Sequence, residues 1–134
     1  VVGYDHLRFA AEPLAVRAAL QRLETGAALA PLTGDGRDCV LLVLAEVLNN
    51  VAEHAYRGAV GPVAVSLRTR GEIVMARVVD QGVAAPALTN GKDYIPDDLP
   101  EGGFGFGLIR ALASEIGQQR RMGCNVLRFH IGEQ

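Results

Sequence analysis

The sequence predicts an α/β domain in which helices and strands share one core. Three observations carry this. Val40, Leu41, Leu44, Leu48, Val51 and Ala55 recur at helical spacing, as do Phe106, Leu108, Ile109, Leu112 and Ile116. Val63, Val65, Leu67 and Thr69 alternate at strand spacing, and Ile73 to Val79 reads as a returning strand after a turn at Gly71. The 134 residues suffice for one domain with one real core, and no repeat, low-complexity tract or second domain interrupts them, so 1–134 is expected to be a single domain.

Composition bounds the function. Hydrophobic residues make up 49% of the chain and Trp is absent, so the core must be aliphatic. A net charge of -2 with both signs interspersed argues against a broad nucleic-acid footprint, which needs a basic face, though not against a small basic contact patch. No direct nucleic-acid partner is expected. Cys39 and Cys124 read as two buried thiols in a reducing compartment rather than a disulfide framework or a zinc site. No apolar run approaches the roughly 20 residues that span a bilayer. The opening Val1-Val2-Gly3-Tyr4 lacks a signal pattern, so a cytoplasmic protein with no membrane partner is expected.

Taken in order, Leu7 to Ala10 suggests a short first strand. Pro13 suits the first turn of a helix, where its missing N–H costs nothing; that helix carries Leu14, Ala18 and Leu20 to Leu23 and fades near Gly26. Thr33-Gly34-Asp35-Gly36 reads as a turn with Asp35 as N-cap. A long helix then runs from about Arg37 to Tyr56. Cys39, Leu42 and Val43 make it apolar nearly all round, which predicts burial, and Gly58 with Gly61-Pro62 ends it. Strand alternation places Asp80 on the core side with Val74, Ala76 and Val78, where an unpaired carboxylate is costly. Val83 to Glu101 has no periodicity and three prolines, which suggests a lid over about 83–103. The helix of Phe106 to Ile116 follows, and Val126, Leu127, Phe129 and Ile131 form the last strand.

Three motifs carry chemistry. Glu46, Asn50 and His54 lie four residues apart on one helix face. The Asn50 amide oxygen suits Mg²⁺, and Glu46 could take a proton from a hydroxyl or water. Asp80 at a strand end could accept a hydrogen bond from an exocyclic amine such as adenine's, while Gly82 lets a planar base approach the backbone. Gly103, Gly105 and Gly107 before a helix leave N–H groups free to face phosphate. The run follows a loop late in the chain, so the dinucleotide-binding reading fails, and no phosphate-loop lysine motif is present. A solvated stripe, a strand-to-turn signal or a plain glycine loop would each explain one motif alone; the ordered set is what points to ATP. His6 and His130 have no partner spacing and read as structural or exposed.

These residues resemble the GHKL, or histidine-kinase-like, ATPase superfamily. Glu46 to Tyr56 looks like its N box, Asp80-x-Gly82 like its first glycine box, and Gly103-x-Gly105-x-Gly107-Leu108 like its second. The resemblance covers Leu7 to Ile131. It implies the Bergerat ATP-binding fold: a two-layer sandwich of a mixed, mainly antiparallel sheet with helices on one face. Within the superfamily the His-Ala-Tyr ending and the Pro-Glu-Gly-Gly-Phe-Gly entry to the second glycine box are similar to the bacterial anti-sigma factor serine/threonine kinases. That resemblance implies Glu46 as general base and Asn50 as the Mg²⁺ ligand. It implies ATP contacts from Asn50, His54, Asp80, Gly82, Gly103, Phe104, Gly105, Gly107 and Leu108. It further implies a homodimer that binds a sigma factor and phosphorylates a serine on an anti-anti-sigma partner of the STAS fold, regulating transcription.

Two departures stand out. Gly123-Cys124-Asn125-Val126 replaces the Gly-Thr that many members have before the last strand, so a hydroxyl contact is expected to be lost. The lid offers only Lys92 as a cation, leaving Arg57 and Arg110 as candidates near the γ-phosphate. Two alternatives remain open: a non-catalytic, nucleotide-dependent binding module, and the catalytic domain of a histidine kinase, which would need a helical hairpin bearing a phospho-acceptor histidine.

Overall fold

The computed structural model describes residues 2–85 and 106–132. In chain order the elements are β1 (Val2–Ala10), α1 (Pro13–Glu24), α2 (Gly34–Asn50), a π turn (Val51–Ala55), β2 (Pro62–Arg70), β3 (Ile73–Asp80), α3 (Phe106–Leu112), β4 (Ser114–Arg121) and β5 (Cys124–Ile131). The strands form one sheet in the order β1-β2-β3-β5-β4. Each neighbouring pair is antiparallel, so the expected mixed sheet has only antiparallel pairings among the described residues.

The first strand is longer than Leu7 to Ala10 because it pairs with β2 over its whole length, from Val2↔Arg70 to Ala10↔Pro62. Gly3 and Asp5 on its inner side hide the alternation; Asp5 Oδ2 accepts from the Ala28 N–H at 2.8 Å instead of packing apolar surface. On the outer side His6 does have a partner: its Nδ1 lies 2.8 Å from Ser66 Oγ on the opposite strand.

Pro13 takes the first turn of α1 as expected, and Glu12 caps it by accepting from Leu14 N and Ala15 N. Val16, Ala19 and Leu23 bury its inner face. The second helix starts at Gly34 rather than Arg37. Its N-cap is Thr33, whose Oγ1 accepts from Gly36 N at 3.3 Å, and Asp35 lies in the first turn, where a negative charge favours the helix dipole. Val40, Val43, Leu44, Val47 and Leu48 are buried, but Leu42 is 52% exposed, so α2 packs on one side and is not buried all round.

Helical hydrogen bonding loosens after Asn50 into the π turn, an irregularity common at functional sites. Arg57 and Gly58, at φ 52 and 87, then turn the chain away. Strands β2 and β3 follow the predicted alternation and bring Asp80 to the buried end of β3.

The helix expected to reach Ile116 ends at Leu112, and Ile116 belongs to β4. Sequence reasoning missed β4 because Ser114 to Arg121 is an edge strand, polar along most of its length. Its register breaks between Ser114 and Gly117, where Glu115 takes a φ of 50.

The core lies between the helices and one face of the sheet. Leu23, Leu29, Leu44, Leu48, Leu67 and Phe129 are its largest fully buried members, and Phe129 is its one aromatic among the described residues. Cys39 and Cys124 are free thiols, half-buried rather than buried. Among the described residues no helix is long and apolar enough to cross a membrane.

Candidate functional site

A cavity of about 220 Å³ opens where the end of α2, the π turn, the end of β3 and β5 meet. Val47, Val51, Val78, Ile109 and Leu127 supply apolar wall, while Asn50, His54, Asp80, Gln118 and Asn125 supply the polar groups.

Asn50 sits at the last position of α2 and is 9% exposed. Its Nδ2 is buried and has no hydrogen-bond partner among the described residues. An unsatisfied buried amide costs about 1–3 kcal/mol, a penalty that a ligand in the cavity would relieve. His54, in the π turn, is half-buried with Nε2 3.4 Å from Glu53 Oε2.

Asp80 is 6% exposed, and its burial is compensated on one oxygen. Oδ1 accepts from the Gly82 N–H at 2.8 Å and from Asn125 Nδ2 at 2.8 Å. Oδ2 accepts no hydrogen bond among the described residues and belongs to a side chain that lines the cavity. In the segment where a threonine hydroxyl is missing, Asn125 thus supplies a side-chain donor of its own. The same Nδ2 donates to the Val83 carbonyl at 2.7 Å, and Asn125 Oδ1 accepts from Ala85 N at 3.2 Å and Arg120 Nη1 at 3.0 Å. Arg120 also donates to the Gly82 carbonyl at 2.7 Å. Together these bonds pin residues 82–85 along the rim.

Two contacts tie the π turn to the same rim. Val83 N donates to the Ala55 carbonyl at 2.8 Å. Gly82 lies so close to Ala55 that a Cβ there would fall 2.2 Å from the Ala55 carbonyl oxygen, so glycine is required by chain packing on this side. Tyr56 Oη donates to the Pro62 carbonyl and accepts from Gln81 N at 2.7 Å. Gly61 packs against the ring of Tyr56, where a Cβ would come within 2.2 Å. Burial raises the Tyr56 phenol above 10.0; the Gln81 hydrogen bond opposes this and the Asp80 charge adds to it.

Three of the residues singled out from sequence thus converge: Asn50, His54 and Asp80 line one cavity. Glu46 is half-buried one helical turn before Asn50 and is not part of the cavity lining. Gly82 is buried at the rim, Gly107 is exposed in the first turn of α3, and Leu108 packs against the core. Gly103, Phe104 and Gly105, with the lid from residue 86 onward, lie outside the described residues. Arg57 and Arg110 are both exposed.

Sequence reasoning missed Tyr56, Arg120 and the bonding role of Asn125. In the sequence Tyr56 is only the end of a motif, and nothing there shows that the fold aims the Asn125 amide at Asp80. Arg120 lies in β4, a mostly polar strand with no apolar alternation to reveal it.

The family model of the histidine kinase-like ATPase domain matches residues 9–131. This chain belongs to that family. The match runs from the end of β1 to the end of β5 and so contains the whole cavity. Comparison with curated proteins finds no match.

Histidine kinase-like ATPase domains bind ATP, usually with Mg²⁺. The residues present fit such a ligand. Asp80 presents a carboxylate oxygen to an amine donor, and Asn50 carries a buried, unsatisfied amide in the same cavity. Its amide oxygen suits a hard cation and its Nδ2 suits a phosphate oxygen.

Proposed function

We propose that this ATPase domain is a Mg·ATP-dependent protein serine/threonine kinase that also acts as an anti-sigma factor. Its substrate is a serine or threonine on an anti-anti-sigma partner of the STAS fold, and its other partner is a sigma factor that it sequesters as a homodimer. The observation that carries the nucleotide half is that one cavity is lined both by Asp80, with Oδ2 left unbonded among the described residues, and by the unsatisfied Asn50 amide. The kinase half rests on the sequence motifs, with Glu46 one turn before Asn50 on α2.

In this reading Asp80 accepts from the adenine amine, and Asn50 would hold Mg²⁺ and the phosphates. Bound Mg²⁺ supplies neutralisation of phosphate charge. Glu46 accepts the proton of the attacking hydroxyl, and the family resemblance assigns the phosphates to the glycine motif that ends at Gly107, in the first turn of α3. Catalysis by such a site is mainly positioning and charge stabilisation.

The test is transfer of phosphate from Mg·ATP to STAS-domain proteins, read by intact mass for the wild type and Glu46→Gln. Phosphate on one partner, lost with Glu46→Gln, supports the kinase. Equal behaviour of the two proteins favours a nucleotide-gated binding module.

A further inference from the structure

The open face of the sheet carries a charge pattern that the net charge of -2 conceals. Strand register sets Tyr4, Arg68, Met75 and His130 in one cross-strand row and His6, Ser66, Arg77 and Arg128 in the next. Arg8 and Arg70 flank these rows, and Arg121 extends them at the end of β4. Arg8, Arg68, Arg70, Arg77, Arg121 and Arg128 are all exposed. No Asp or Glu occupies a register-paired position on this face; Asp5 and Asp80 bond on the helix side.

Arg77 and Arg128 stand directly opposite each other on β3 and β5. Like charges so placed destabilise a sheet. Among the described residues neither makes an ion pair: Arg128 donates to the neutral Gln119 Oε1 at 3.3 Å. Among the described residues, the paired positions of this face thus hold basic side chains with no acidic one between them.

We propose that this open sheet face docks an acidic protein surface. Guanidinium groups match carboxylates in bidentate geometry. Val2 and Tyr4, 67% and 53% exposed, and the half-buried Met75 add apolar contact between the charges. Arginine mixed with an aromatic and Met is the composition enriched at protein interfaces. Five strands of this length span roughly 500–600 Å², a large part of the ~800 Å² each partner contributes to a standard interface.

Single-stranded nucleic acid is less well served, because Tyr4 is the one aromatic at the paired positions of this face and stacking needs several. A second copy would set arginine against arginine. The proposal does not depend on the kinase reading, because the face lies across the sheet from the helices and the core.

The experiment is fluorescence anisotropy with three labelled probes: a poly-glutamate peptide, poly-uridine RNA, and phosphatidylglycerol vesicles. Poly-glutamate should bind in a salt-sensitive way, and the Arg77→Glu/Arg128→Glu protein should bind it about tenfold more weakly or worse, with ATP binding unchanged. Arg77→Gln/Arg128→Gln should fall between, and it carries the test if the reversal variant does not fold. No peptide binding, or binding insensitive to both variants, overturns the proposal. So does tighter binding of the RNA or the vesicles, or a self-association that the substitutions abolish.

Discussion

Asn125 on β5 donates its side-chain amide to Asp80 Oδ1 at 2.8 Å, across the strand pair that floors the cavity. The bond fixes the carboxylate and occupies one of its oxygens, so the other is left for a ligand. Asn125→Ala removes this donor together with the acceptor for Ala85 N and Arg120. We expect a loss of about 1–3 kcal/mol in stability and weaker nucleotide binding. Asn125→Thr should recover the Asp80 contact and most of the nucleotide affinity, but not the bonds to residues 83–85. Denaturant midpoints and nucleotide titrations on the two variants check this.

Gly82 is fixed by its approach to Ala55. Gly82→Ala forces the rim away from the π turn and should cost about 1–3 kcal/mol by overpacking. It should also weaken the Val83 N to Ala55 bond, which hydrogen exchange at Val83 would report as lost protection. An unchanged midpoint and unchanged protection would mean that the contact is not tight.

Tyr56 predicts a pH dependence. Its phenol is raised above 10.0 mainly by burial, so the fold favours the neutral form. The associated stability is fully present below the unfolded value of 10.0 and is lost as pH rises through the folded value. Tyr56→Phe should remove this alkaline decline. It should also cost about 1 kcal/mol at neutral pH through the lost Gln81 and Pro62 bonds. Urea midpoints measured from neutral pH to above the phenol range, for both proteins, would show whether the two curves converge there.

Glu46→Gln should leave ATP affinity within a few-fold, because Glu46 does not line the cavity, and should lower phosphoryl transfer by about 100-fold or more if Glu46 is the base. Single-turnover kinetics with saturating Mg·ATP separate the two effects.

Much of this was legible in the sequence, for identifiable reasons. Helical and strand periods placed α1, β2 and β3 to within a residue or two, because one side of each packs on a continuous aliphatic core. The motif spacing found Asn50, His54 and Asp80, which the fold gathers into one cavity.

What escaped depended on tertiary contacts. β4 has little apolar alternation because it lies at the sheet edge, and its polar residues were invisible to a hydrophobic template. The π turn after Asn50 has no sequence period of its own. Thr33 won the cap from Asp35 because the helix starts at Gly34, three residues before the expected Arg37 and ahead of its apolar stripe. The basic face could not be seen in a net charge, because it arises from alternation and register between strands distant in sequence.

The central claim is that the cavity shared by Asn50 and Asp80 is the Mg·ATP site. Isothermal titration of ATP and GTP, with and without Mg²⁺, into the wild type, Asn50→Ala and Asp80→Asn tests it most directly. The account predicts magnesium-dependent ATP binding that Asn50→Ala abolishes. It also predicts an ATP-over-GTP preference that Asp80→Asn reduces about tenfold to a hundredfold, the cost of one charge-assisted hydrogen bond. Tight ATP binding retained in Asn50→Ala, with nucleotide preference unchanged in Asp80→Asn, would contradict it.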